Sequence, residues 1–422
     1  MRALLRDRNL LLVLGAGMIS QLGDWALVLG LPLFVYGRTH SIALSGALVT
    51  VDLLPRLFAG PIAGVLADRW NRKFALIGAD LFRAGVLLAL LITAAGGPIW
   101  LVYVVAVLEG SASQLFVAAE GALLPNIVRG ENLLRANSLM SVGNSTIRLV
   151  GPPLGGLLFA LLGLTASAIV DSASFAVSAS LLLAVRLPAA ARQVSEPESG
   201  AARGMVSAFV RELADGARCL LTSRVFEALC VVLAAVMVAQ GILETLLVPF
   251  VIDVLHYDAT EFGILAAAQG LGGLLGALAL SALSRHVTSG RVVGAALVLG
   301  GTFLVGFLVA RPLAISAAML FLVGVPMVVA SAWVETYYQQ KISNELLGRV
   351  LGLTGTVTSV GFLVGVVAAS LFGSRLGIVP VMLAAAAVLL ATGVFAVAAL
   401  WTARTTEPET ATATSDVAAA AK

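Results

Sequence analysis

The sequence predicts an all-α membrane protein: twelve transmembrane helices arranged as two pseudo-symmetric six-helix bundles. Three observations carry that expectation. Of 422 residues, 59% are hydrophobic and only 12% charged, with a mean hydropathy of +1.02. A soluble domain carries about twice that charge, so the bulk of this chain belongs in lipid. The apolar residues fall into runs long enough for the roughly 20 residues that a bilayer core demands. The third observation is a set of matches between the two halves of the chain.

The runs are read in order. Six lie in the first half, near 10–36, 43–66, 74–96, 98–122, 137–161 and 164–185. Six follow, near 225–252, 261–284, 290–310, 313–336, 347–373 and 377–402. Arg2, Arg6 and Arg8 precede the first run, but that run is far longer than the roughly 7–15 residues of a signal-peptide core, so it is read as a retained span. Between the sixth and seventh runs the chain turns polar and rich in breakers. There MVSAFVRELADGARCLLTSR puts Val210, Leu213, Ala217 and Leu220 on one helical stripe. That stripe suits either an amphipathic helix on the membrane surface or a solvated linker helix. The organisation expected is therefore a first bundle at 1–185, a linker at 186–224, a second bundle at 225–403 and a disordered tail at 404–422.

Numbering the loops alternately from the N-terminus partitions the basic residues sharply. One set holds Arg69, Arg72, Lys73, Arg129, Arg135, six linker arginines and both chain ends; the other holds Arg38, Arg311 and Arg375. Basic residues concentrate on the cytoplasmic side, so both termini are expected inside. A single miscounted span would scramble this partition.

Shifting the first half by 217 positions pairs Pro32 with Pro249 and Gly46 with Gly263. A shift of 214 pairs Glu131 with Glu345, Arg135 with Arg349, Gly151 with Gly365 and Gly163 with Gly377. Near-equal offsets at corresponding helix ends are the mark of a duplicated bundle. Two such bundles can rock about a central site near the bilayer midplane.

Other function classes find little footing. The net charge is only +3, and no basic patch interleaved with aromatics invites nucleic acid. Cys219 and Cys230 form neither a metal spacing nor a disulfide framework, and His40, His256 and His286 are scattered, so no metal or cofactor is expected. A phosphate-binding P-loop is missing from the sequence, and no nucleophile–base pattern suggests an enzyme.

The stretch GVLADRWNRK, closing the second span, carries Gly64, Asp68, Arg69, Arg72 and Lys73. It resembles the loop between helices two and three of the major facilitator superfamily, with Asn71 where many members have a second glycine. GPPLGG, with Gly151, Pro152, Gly155 and Gly156, resembles the core of that superfamily's antiporter motif, although Ser138 and Ile147 stand where further glycines occur. ISQLGDWAL, ALLPNIVRGENLLRANSL, FVRELADGARCLL and LLGRVLGLTGTV are similar to the branch of macrolide-efflux proteins and the enterobactin exporter. The resemblance implies that 64–73 is a cytoplasmic gate, with Asp68 pairing with basic groups and a helix end of the opposite bundle. Arg69 and Lys73 also fit simple headgroup anchoring.

Charges within the spans cost about 2.5–3.5 kcal/mol each at a helix centre, so each invites a function. Asp24 in the first span is a candidate proton carrier, or else a structural partner for a buried arginine. The family fold puts the first and fifth spans side by side, so Asp24 is expected to meet Arg148. Glu109 and Glu244 are further coupling candidates. Asp52 with Arg56, and Asp80 with Arg83, can neutralise themselves along one helix face. Asp171 is assigned to scaffold because the family places the sixth span peripherally, and Glu120 and Glu335 to loops or gate.

The expectation is a secondary transporter of the cell membrane, exporting a hydrophobic or amphipathic small molecule in exchange for protons. It is expected to act as a monomer by alternating access. Siderophore export, lysolipid movement, nutrient uptake and a non-transporting sensor are the alternatives.

Overall fold

A computed structural model describes residues 7–128, 132–186, 224–283, 289–342, 344–401 and 403, almost all of them helical. The elements are α1 (Arg8–Thr39), α2 (Ile42–Leu54), α3 (Gly60–Arg69), α4 (Arg72–Leu88), α5 (Leu90–Ala94), α6 (Trp100–Ile127) and α7 (Asn132–Leu183). After the linker come α8 (Arg224–Pro249), α9 (Ala259–Leu283), α10 (Arg291–Val309), α11 (Leu313–Lys341), α12 (Asn344–Leu376) and α13 (Ile378–Ala399). The linker helix expected over 205–224 lies outside the described residues except for Arg224, and the tail at 404–422 lies outside them entirely.

Among the described residues, ten helices are long and apolar enough to cross a bilayer, and Ile42–Leu54 is a shorter apolar helix. Two local features reconcile these with twelve spans. α2 and α3 are joined by a π-helical turn, Pro55–Ala59, into one span. α7 runs for 52 residues, far beyond one bilayer crossing at about 1.5 Å per residue, and contains a break at Gly163 with φ 68° and ψ −176°. Only glycine takes that conformation readily. Gly377 turns the chain between α12 and α13 at φ 95° and ψ 156°, so the paired glycines of the two halves do the same job.

The chain divides into two compact units, Met1–Glu198 with His256–Ala267, and Ser199–Leu255 with Ala268–Lys422. In the first, Val13, Ala16, Ala67, Leu76, Phe116, Leu123 and Leu182 join five spans in one apolar cluster. Phe58, Leu161, Val177 and other large apolar residues point outward, as suits a surface bathed in lipid. Gly151 and Gly155 admit Trp25 so closely that a methyl at either position would collide with it. In the second unit Gly365 lies against the backbone of Val238, repeating that close crossing. Small residues at such crossings are the usual means of helix association in membranes.

Helix ends are tied by side chains. Asp7 caps α1, accepting from Asn9 N at 3.0 Å and Leu10 N at 3.3 Å. Asn71 caps α4 through Lys73 N and Phe74 N, which gives this departure from the family's glycine a local purpose. Arg72 donates to Ala122 O at 3.1 Å, and Lys73 Nζ to Leu183 O and Val185 O at 2.8 and 2.7 Å. Lys73 is thus bonded to the C-terminal end of the sixth span, and is more than a headgroup anchor. Two of the three basic residues in the sparse set also hold carbonyls at helix ends. Arg38 binds Thr93 O, Gly96 O and Gly97 O, and Arg311 binds Val254 O.

Valine at Gly163 or Gly377 is expected to cost about 1–3 kcal/mol of stability. Thermal unfolding of the purified protein in detergent should show it. Gly121→Ala, whose new methyl meets nothing within 4 Å, should unfold like the unaltered chain.

Candidate functional site

One guanidinium organises the interior of the first unit. Arg83, on the third span, has a side chain only 2% exposed. Its Nη2 reaches both carboxylate oxygens of Asp24, on the first span, at 2.8 Å. Nε and Nη2 donate to Glu109 Oε1, on the fourth span, at 2.8 and 2.6 Å. Asp80, one turn earlier on the same helix and completely buried, stands 3.8 Å away. The ring of Phe175, on the sixth span, lies under the guanidinium with its centroid 3.9 Å from Cζ. Four helices therefore converge on one cation.

The pieces fit because small residues make room. Gly23 lies against Asp171, so any side chain there would displace that carboxyl from its place beside Asp24. Asp171 is itself buried and accepts from Ser174 Oγ at 3.2 Å. Ser172 ties the sixth span to the third by donating to Ala84 O at 2.8 Å. Further along α6, Glu120 is buried and packs on α1 at Gly17, where an added Cβ would stand 2.7 Å from its Oε1.

These placements redraw the sequence expectations. Asp24 does not meet Arg148: its partner is Arg83, and Arg148 is exposed on the fifth span. Arg83 does face Asp80 as expected, but Asp24 and Glu109 hold it more closely, so the pair is not self-contained. Asp171 belongs to the charged interior and not to peripheral scaffold, and Glu120 is buried against the first span. Glu244 is exposed and accepts from Gln240 Nε2 at 2.9 Å, and Glu335 is exposed. Asp52 is half-buried, and the side chains of Arg56 and Asp68 lie outside the described residues. Phe175 is the site member that sequence reasoning missed. Its signal was only an aromatic one turn after Asp171, which an apolar helix offers in many places.

Chemically, the site holds more carboxyls than cations in an environment of low dielectric. Two of those carboxyls compete for one fork of N–H donors. Guanidinium is suited to such sharing because its planar donors serve two acceptors at once. Among the described residues, no group of three or more acidic, histidine or cysteine side chains is arranged to hold a metal ion.

By fold, this is a many-span helical protein with a charge knot inside its apolar helices. The model of the Major Facilitator Superfamily matches residues 13–365, and the chain belongs to that superfamily. It is a multi-pass membrane transporter, not an enzyme, and its substrates are small molecules. Macrolide efflux protein A of Streptococcus pyogenes is 24% identical over 364 residues, spanning 85% of this chain and 88% of the relative. Multidrug efflux pump Tap of Mycobacterium bovis is 26% identical over 401 residues, 92% of both chains. Among solved structures, a bacterial homologue of the iron transporter ferroportin has a TM-score of 0.67 at 19% identity, covering 93% of this chain and 99% of that one. The peptide transporter POT has a TM-score of 0.66 at 12% identity, covering 93% and 94%. At those identities the structures speak for the fold alone.

Removing the cation should be far worse than removing the whole knot. Arg83→Met alone leaves buried carboxylates uncompensated and is expected to cost about 3–5 kcal/mol. Combining it with Asp24→Asn and Glu109→Gln should restore most of that loss, as read from the unfolding midpoint and monodispersity in detergent.

Proposed function

We propose that this protein is a secondary active exporter of hydrophobic or amphipathic small molecules, exchanging them for protons by alternating access across the plasma membrane. Both termini would lie in the cytoplasm, the protein would act as a monomer, and the loop at 64–73 would serve as the cytoplasmic gate. The observation that carries the reading is the sharing of Arg83 between Asp24 and Glu109, which sit on separate spans.

A proton bound by either carboxyl neutralises that acceptor, so an ion pair with the guanidinium becomes a weaker bond from a cation to a neutral carboxyl. Burial magnifies the difference, because low dielectric strengthens every interaction within the knot. The first and fourth spans would then hold the third less firmly, and the balance between two packings would shift. A substrate that prefers one packing must, by reciprocity, alter proton affinity. Coupling needs no direct contact between proton and cargo. The membrane potential supplies about 2.3 kcal/mol per charge per 100 mV, enough to drive such a cycle. Export is supported by two similar proteins, macrolide efflux protein A and the multidrug efflux pump Tap, both of them efflux proteins.

The test is reconstitution in liposomes with an imposed pH gradient, against a panel of a macrolide, a catecholate siderophore and a lysolipid. At least one compound should move together with protons. Asp24→Asn and Glu109→Gln should each slow gradient-driven movement about tenfold or more, a barrier change of roughly 1.4 kcal/mol. Movement without proton flux would make the protein a facilitator, and silence across the panel would favour a sensor.

A further inference from the structure

The fifth span exposes two faces of opposite character. Val142, Leu157 and Leu161 are exposed on one side, at 61%, 43% and 68%, and suit lipid. Roughly opposite, at about 100° per residue, Asn137, Ser141, Asn144, Ser145 and Arg148 fall on one stripe, and all five are exposed. The stripe ends at Arg148. Beyond it the same side turns to Gly155, Gly156 and Phe159, all buried. A polar stripe of this kind does not face hydrocarbon, since a charged head at the helix centre carries a cost that only water or a partner relieves. It calls for water or a polar ligand to cover it.

The depth of Arg148 follows from the neighbouring helix. Gln21 on the first span donates to Asn144 Oδ1 at 3.3 Å, and Trp25, one turn later, packs on Gly151. Arg148 therefore lies level with Asp24, near the middle of the span. Yet Asp24 is turned inward to Arg83, which leaves Arg148 with no ion-pair partner among the described residues. Gln21, Asn144 and Ser141 supply further polar atoms along the same stripe.

We infer that Arg148 is a substrate-binding residue, and that the cargo is an amphiphile whose head bears a carboxylate or phosphate group. The guanidinium would take the oxyanion through two parallel N–H donors, with Asn144 and Gln21 bonding the rest of the head. This deepens the export reading by naming a substrate class, and it rests on that reading only for the direction of transport. It also separates the two charges by duty: Asp24 holds the inner cation, and Arg148, at the same depth, meets the cargo. An acidic head thereby becomes a requirement that a basic amphiphile does not meet.

The test uses the full-length protein in nonionic detergent and radiolabelled dodecanoate as the probe, measured by scintillation proximity. Saturable binding is expected, weakened about tenfold or more in Arg148→Gln and by less in Arg148→Lys, which keeps the charge but loses the fork. Unlabelled dodecyl phosphate, standing for a lipid phosphate, and dodecanoate itself should compete, and the tighter of the two identifies the source of the head. Dodecyltrimethylammonium should not compete. Equal competition by that cation, unchanged binding in Arg148→Gln, or no saturable binding would each overturn the assignment. Since the measurement needs no pH gradient, its failure is read separately from a failure of proton exchange.

Discussion

A guanidinium withdrawn from water has to be answered by carboxylates, and in this protein that demand shapes the first bundle. Arg83 is 2% exposed and draws Asp24, Glu109 and Asp80 around it, with Phe175 beneath. Asp24, Glu109 and Phe175 each come from another helix, which must cross at a set height and rotation for the contact to form. Gly23, Gly151 and Gly155 permit those crossings by giving up side-chain volume where Asp171 and Trp25 press in. The charged knot and the small residues are two halves of one packing solution. Such knots contribute little net stability against apolar alternatives, so their presence argues for a use beyond holding the bundle together.

That use follows from sharing. A single carboxylate on Arg83 would be a structural pair. Two carboxylates on different helices make an arrangement that can redistribute its hydrogen bonds when charge changes. The exposed polar stripe of the fifth span lies at the same depth, close enough along α1 for packing changes to pass between them. Trp25 follows Asp24 directly and fills the notch left by Gly151 and Gly155.

Much of the fold was legible because a bilayer enforces a simple rule of length and apolarity. All twelve spans were expected within a few residues of where they lie, including the division at Gly163, which hydropathy alone runs together. Gly163 and Gly377, matched by the offset of 214, both take a positive φ that few residues other than glycine adopt. The site was legible only in its parts. Asp24, Glu109, Asp80 and Arg83 each stand out as costly charges, but which carboxylate meets which cation depends on helix rotation. No spacing within one helix encodes that. The pairing of Asp24 with Arg148 had the depth right and the rotation wrong. Asp171 was misplaced for a similar reason, since a helix at the periphery still has an inner face.

The central claim is that a proton taken up by Asp24 or Glu109 alters the bonding of Arg83. A pH-difference infrared spectrum of the reconstituted protein addresses it most directly. The account predicts that a protonated-carboxyl stretching band, assigned by its loss in Asp24→Asn or Glu109→Gln, rises together with a shift in the arginine bands that Arg83→Lys removes. A carboxyl band indifferent to both substitutions, or one that rises while the arginine bands stay fixed, would contradict it.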